Sequence, residues 1–195
     1  MTIPAQLKEL VLQSLVHERG GVLVYKAALE AAVEPQLREE WIKYLAQTER
    51  HVGILAKVCV SLGLDPGELT PSCQIVHNNG RALVIAIKAA LAASNPVAAQ
   101  LIACDSVLLA ETKDHANWEL LRKCADQLGD EVAAALKEAC DQVEEEEDRH
   151  LYHTQGWARE LWLQSLGLPA VLPPPEEKRD VTTAAEAQEA RSEAH

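Results

Sequence analysis

The sequence predicts an all-α protein. Ala, Leu and Glu dominate a chain with only 9 Gly and no Phe, and these three are strong helix formers. Four long stretches place apolar residues at the three- and four-residue steps of a helix with one buried stripe. Runs of Val, Ile and Thr at a two-residue period are missing. At 195 residues the chain can bury a substantial core in one domain.

The first helix is expected from residue 4 to about 32, with Pro4 suited to a first helical turn. Leu7, Val11, Leu15, Glu18, Val22, Tyr25 and Leu29 fall on its stripe, and Glu18 is the anomaly, a carboxylate amid apolar residues. Gly20-Gly21 weakens the helix or permits close approach of another element. Pro35 opens the second helix, which runs to about Gly63 with Trp41, Leu45, Thr48, Val52, Leu55, Cys59 and Leu62 inward. Tyr44 and His51 border that stripe on one side and Glu49 on the other. Gly63 and Pro66 end the helix.

Residues 64–80, with two prolines and Asn78-Asn79-Gly80, read as an extended connection, and 81–93 as a short helix within a crossover. Asn95-Pro96 starts the third long helix. Its stripe is Leu101, Cys104, Leu108, Glu111, His115, Trp118, Leu121 (or Arg122) and Ala125, so Glu111 and His115 interrupt it near the middle. The chain turns around Leu128-Gly129-Asp130. The fourth long helix carries Val132, Leu136, Cys140, Val143, Glu147, His150, Trp157 and Leu161, and Gly167-Leu168-Pro169 stops it after about Leu166. These helices give a domain over 1–168. Residues 169–195, charged and Ala-rich, are expected to form a disordered tail.

A net charge of −12 argues against nucleic acid or an anionic membrane as partner. No apolar run approaches the roughly 18 residues of a membrane span, and no signal peptide is visible. The five cysteines are scattered without a Cys-x-x-Cys pair, so neither a disulfide framework nor a zinc knuckle is indicated. The expected setting is a reducing cytoplasm.

Chemistry enters with Glu147 and His150, three apart and therefore on one helical face. Val143 and Cys140 place that face inward, although the run Glu144 to Asp148 must otherwise point mostly to water. Glu18 lies about 15 positions before the first turn, and Thr48 and His51 about 15 to 18 after it. Glu111 and Glu147 stand about 17 and 19 positions either side of the second turn. At about 1.5 Å rise per residue these groups share one height in two antiparallel hairpins. Buried carboxylates are costly unless paired or bound to metal, so Glu18, His51, Glu111, His115, Glu147 and His150 are candidate metal ligands. His17, Glu49, Asp114 and Glu144 are reserves. His153 reads as a supporting or surface residue, Tyr25 and Tyr44 as packing, and the four Trp as packing or interface residues.

These residues resemble the ferritin-like superfamily, which includes bacterioferritins, rubrerythrins and manganese catalases, over roughly residues 4–166. The resemblance implies a four-helix bundle of two antiparallel hairpins joined by a long crossover. It also implies a two-metal site in which the first and third helices give a Glu and the others a Glu-x-x-His. Glu18, Glu111 and the pair Glu147 and His150 match that pattern, and His51 matches the remaining His. Thr48 stands where the second helix should carry its Glu. The implied cofactor is iron, or manganese, acting on Fe(II), dioxygen or peroxide, and a homodimer is a further implication. Thr48 leaves two other readings open: a non-catalytic helical interaction module with a degenerate site, and a single-metal enzyme such as a zinc hydrolase.

Overall fold

A computed structural model describes residues 3–93, 95–128 and 131–194, and these are helical with no strand. The long elements are α1 (Ala5–Ala31), α2 (Pro35–Ser61), α3 (Pro71–Ala92), α4 (Pro96–Gln127) and α5 (Glu131–Ser165). Two short helices follow, α6 (Pro175–Lys178) and α7 (Ala184–Ala194). No helix among the described residues is long and apolar enough to cross a membrane. The turn expected at Leu128-Gly129-Asp130 lies partly outside the described residues.

Four of the helices close a ring: α1 packs on α2 and α4, and α5 packs on the same two. The short 32–34 connection makes α1 and α2 antiparallel. Gln100, early in α4, accepts hydrogen bonds at 2.6 Å from the backbone N–H groups of Val33 and Glu34. That contact sets the start of α4 beside the α1–α2 turn. Two large apolar clusters fill the ring. One gathers Leu12, Leu15, Leu55, Leu121, Leu136 and Val143; the other gathers Tyr25, Leu37, Trp41, Tyr44, Val107 and Trp157. Glu18, Glu111 and Glu147 lie between them along α1, α4 and α5, so the core is apolar at both ends and charged in the middle.

The crossover differs from the expected extended segment with a short helix. Helix α3 starts ten residues earlier than predicted and runs through Asn78-Asn79-Gly80 without a break. Its start is well specified: Pro71 occupies the first turn, and the Thr70 hydroxyl accepts from the Cys73 N–H at 3.3 Å. Gly80 is helical because α3 crosses α1 there. A Cβ on Gly80 would come within 3.4 Å of the Gly20 Cα, so the residue that reads as a breaker serves close approach. Thr70 donates to Glu9 near the start of α1, while Lys88 pairs with Glu30 near its end. α3 thus runs parallel to α1 and returns the chain to the end where α4 begins.

Residues expected to be a disordered tail instead form α6 and α7, docked on α5. Large apolar residues are scarce there, and a buried ion pair takes their place. Glu176, 1% exposed, accepts from both terminal nitrogens of Arg159 at 2.7 and 2.9 Å. Val181, Ala187 and Ala190 form a small buried cluster against Tyr152. Beside them the Trp157 indole donates to Glu177.

Burial first, and then the charge of Glu40, push the Glu177 carboxyl up to about 7. A carboxyl raised in the folded state binds its proton more tightly there than in the unfolded chain. Its contribution therefore weakens as pH rises from the usual carboxylate range through about 7. Proteolytic nicking of the 169–195 segment is expected to be faster at pH 8 than at pH 6. Glu177→Gln is expected to remove most of that difference; an unchanged pH dependence would show that Glu177 does not set it.

Candidate metal centre

Each helix of the ring contributes to one buried cluster. Glu18 from α1 and His51 from α2 are 0% exposed. Glu111 (3%) comes from α4, and Glu147 (1%) and His150 (0%) from α5. These five form two triads, Glu18–His51–Glu147 and Glu111–Glu147–His150, in each of which one ligand atom per residue lies within 4.8 Å of the others. Glu147 belongs to both. His51 Nδ1 is 2.9 Å from Glu147 and 3.5 Å from Glu18 Oε1, and His150 Nδ1 is 3.4 Å from Glu111 and 3.5 Å from Glu147.

The imidazoles are held from behind. His51 Nε2 lies 2.8 Å from Glu146, which also pairs with Arg50, and His150 Nε2 lies 2.9 Å from the Gln47 side-chain oxygen. An acceptor at Nε2 fixes the proton there and turns Nδ1 inward, the arrangement usual for a metal-ligating histidine. The Trp118 indole donates to Glu18 Oε1 at 2.9 Å. Facing inward without a hydrogen-bond partner are Glu18 Oε2, Glu111 Oε2, both Glu147 oxygens and both Nδ1 atoms. The His51–Glu147 contact is thus an attraction of charges rather than an aligned hydrogen bond. Buried polar atoms left without a hydrogen bond cost about 1–3 kcal/mol each. Two buried Glu/His groups can therefore hold a metal ion.

The local charge balance leads to the same place. Burial lowers the affinity of His51 for a proton, but Glu147 and Glu18 outweigh it and hold the imidazole at about 11. Burial, then the charges of Glu18 and Glu111, outweigh His51 and His150 and raise Glu147 to about 7. Glu111 stays below its usual range, since His150 beside it overcomes burial. Protons thus occupy a centre made mostly of carboxylates, and a divalent cation would take their place.

Asp114, one turn beyond Glu111, is 3% exposed, and its Oδ1 has no partner. Burial and the charges of Glu18, Glu147 and Glu111 hold its carboxyl well above the usual range. It adds a fourth carboxylate beside the two triads without belonging to either. His115 is not brought into the cluster. It is part-exposed, 2.9 Å from Asp148 on the α4–α5 surface, because the α4 face drifts round the helix between Glu111 and residue 115.

Thr48 is buried, and its hydroxyl donates to the Tyr44 carbonyl at 2.9 Å, so α2 presents no carboxylate here. Glu49 and Glu144 turn outward to Lys26 and Arg122, and His17 faces the Ala110 carbonyl at 2.9 Å. His153 is buried, bonded through Nδ1 to the Tyr44 hydroxyl at 2.8 Å.

Sequence reading missed Trp118, Glu146 and Gln47 as supports. Trp118 was legible as a packing or interface residue, and the other two have nothing in their spacing to mark them. No protein-family model matches the chain, and searches of curated proteins and solved structures return no match.

Proposed function

We propose that this chain is a metal-binding protein of ferritin-like type that holds two divalent cations, iron or manganese, between its four ring helices. The observation that carries this reading is Glu147, a buried carboxylate shared by two Glu/His triads with both oxygens unpartnered. The ring of four antiparallel helices with a full-length return between the second and third agrees with a ferritin-like arrangement. Carboxylate oxygens with one imidazole per position suit iron or manganese better than soft metals.

Glu18 with His51 would serve one position and Glu111 with His150 the other, with Glu147 common to both. Bound iron would supply one-electron chemistry toward dioxygen or peroxide. The protein's share is to keep Glu18 aimed through Trp118, to orient the imidazoles through Glu146 and Gln47, and to exclude water with the apolar clusters at either end. Oxidation of Fe(II) or removal of peroxide is the activity that fits. The cysteines among the described residues are free, in keeping with a reducing cytoplasm.

Thr48 favours a second reading, a helical interaction module that has lost its metal chemistry. Protein purified without chelator and loaded anaerobically with Fe(II) or Mn(II) separates the two. About two ions per chain, with a rise in melting temperature reversed by chelator, is expected of the metal centre. No bound metal and no thermal shift would leave the interaction module.

A further inference from the structure

We propose that divalent cations reach the Glu/His centre through the groove between α4 and α5, and that the Arg122–Glu144 pair gates it. This rests on the two-cation reading and adds a route to it. The groove holds a cavity of about 350 Å³ whose wall includes Glu147 and Trp118. Glu147 is 1% exposed with both oxygens unpartnered, so the wall of the cavity includes a residue that both triads share. Trp118 shares that wall and donates to Glu18, which places the Glu18–His51–Glu147 triad next to the indole.

The outer part of the groove suits a hydrated cation. Glu119, Asp126 and Asp148 line it, against Lys123, Arg122 and His115, the last of which pairs with Asp148. A cleft of one dominant sign raises the local concentration of counter-ions and the rate of their arrival.

Arg122 spans the two helices across this opening. Its Nε donates to Glu144 at 2.8 Å, and one terminal nitrogen reaches both Glu144 and Asp141 at 2.6 Å. The pair is partly exposed, with the side chains 21% and 37% accessible. Exchanging one partner for another is therefore inexpensive. When a cation arrives, Glu144 can leave the guanidinium for the ion, and the arginine swings off the opening. Closed, the same guanidinium places a positive charge in the path and repels the ion.

The test is the rate of anaerobic Co(II) uptake, followed in a stopped-flow instrument by the absorption of the bound ion, with stoichiometry measured in parallel. Arg122→Ala is expected to load about 10-fold faster, and Glu144→Lys about 10-fold slower, both reaching wild-type stoichiometry. Lys88→Ala, the same charge change on α3, controls for net charge and is expected to load within about 2-fold of wild type. Helical circular dichroism checks that each variant is folded. Wild-type uptake rates in both groove variants, or equal acceleration in Lys88→Ala, would overturn the route while leaving the metal centre standing. Failure of the wild-type protein to bind Co(II), Fe(II) or Mn(II) would overturn both.

Discussion

Glu147→Gln is expected to abolish metal loading at both positions. The side chain is common to the two triads, so its loss leaves each with one carboxylate and one imidazole. A neutral amide neither balances charge nor binds hard cations well. A loss of roughly 100-fold or more at each position follows, about 2.7 kcal/mol by the usual conversion.

Glu111→Gln sharpens the test. Glu111 belongs to one triad only, so about one ion per chain should remain. The metal-free stability should move the other way. Glu147 is raised to about 7, so wild type loses stability as pH rises from the usual carboxylate range through about 7, and the Gln variant lacks that loss. Chelator-treated Glu147→Gln should therefore melt no lower than wild type at pH 8. A variant that still binds two ions would sink the shared-ligand reading, whereas one that fails to fold would show Glu147 to be structural.

Gly156→Val is expected to strip α6 and α7 from α5. A Cβ on Gly156 would meet Glu176 Oε2 at 2.6 Å and the Pro174 Cβ at 2.8 Å. Pro174 and Glu176 cannot yield without breaking the Arg159–Glu176 pair, whose carboxylate is 1% exposed. Overpacking costs about 1–3 kcal/mol and breaking a buried pair about 3–5 kcal/mol, more than a cluster of Val181, Ala187 and Ala190 can offset. The segment after residue 169 should become rapidly cleavable, with α1 to α5 still folded. Protection equal to wild type would mean the contact relaxes at little cost. The same tail lies beside Trp157, so a change in tryptophan emission should accompany its release.

Much of the arrangement was legible before any coordinates. Helical period located α1, α2, α4 and α5, and the carboxylates interrupting their stripes marked the centre, because an acid on an apolar face must be answered by charge or metal. Counting from the turns was enough to set Glu18 level with His51 and Glu111 level with Glu147, since helical rise is constant and short turns force antiparallel neighbours.

The helical period also put His115 on the inner stripe, where the structure does not place it. One turn past Glu111 the face has rotated enough to reach the surface, and only the packing of α5 decides which side of that boundary a residue occupies. Gly80 was misread because its reason for being glycine is a residue on another helix. The tail was misread because composition registers large apolar side chains, and here a buried Arg159–Glu176 pair and small Ala contacts take their place.

The sequence by itself determined the four ring helices and marked Glu18, Glu111 and Glu147 as acids on buried faces, since both follow from local period and the cost of desolvating charge. Only the tertiary structure decided that Glu147 is shared, that Glu146, Gln47 and Trp118 hold His51, His150 and Glu18, and that the α4–α5 groove has Glu147 and Trp118 in its wall. Those are relations between side chains on different helices, set by how the helices rotate against one another as their apolar faces close, and no spacing along one chain contains that rotation.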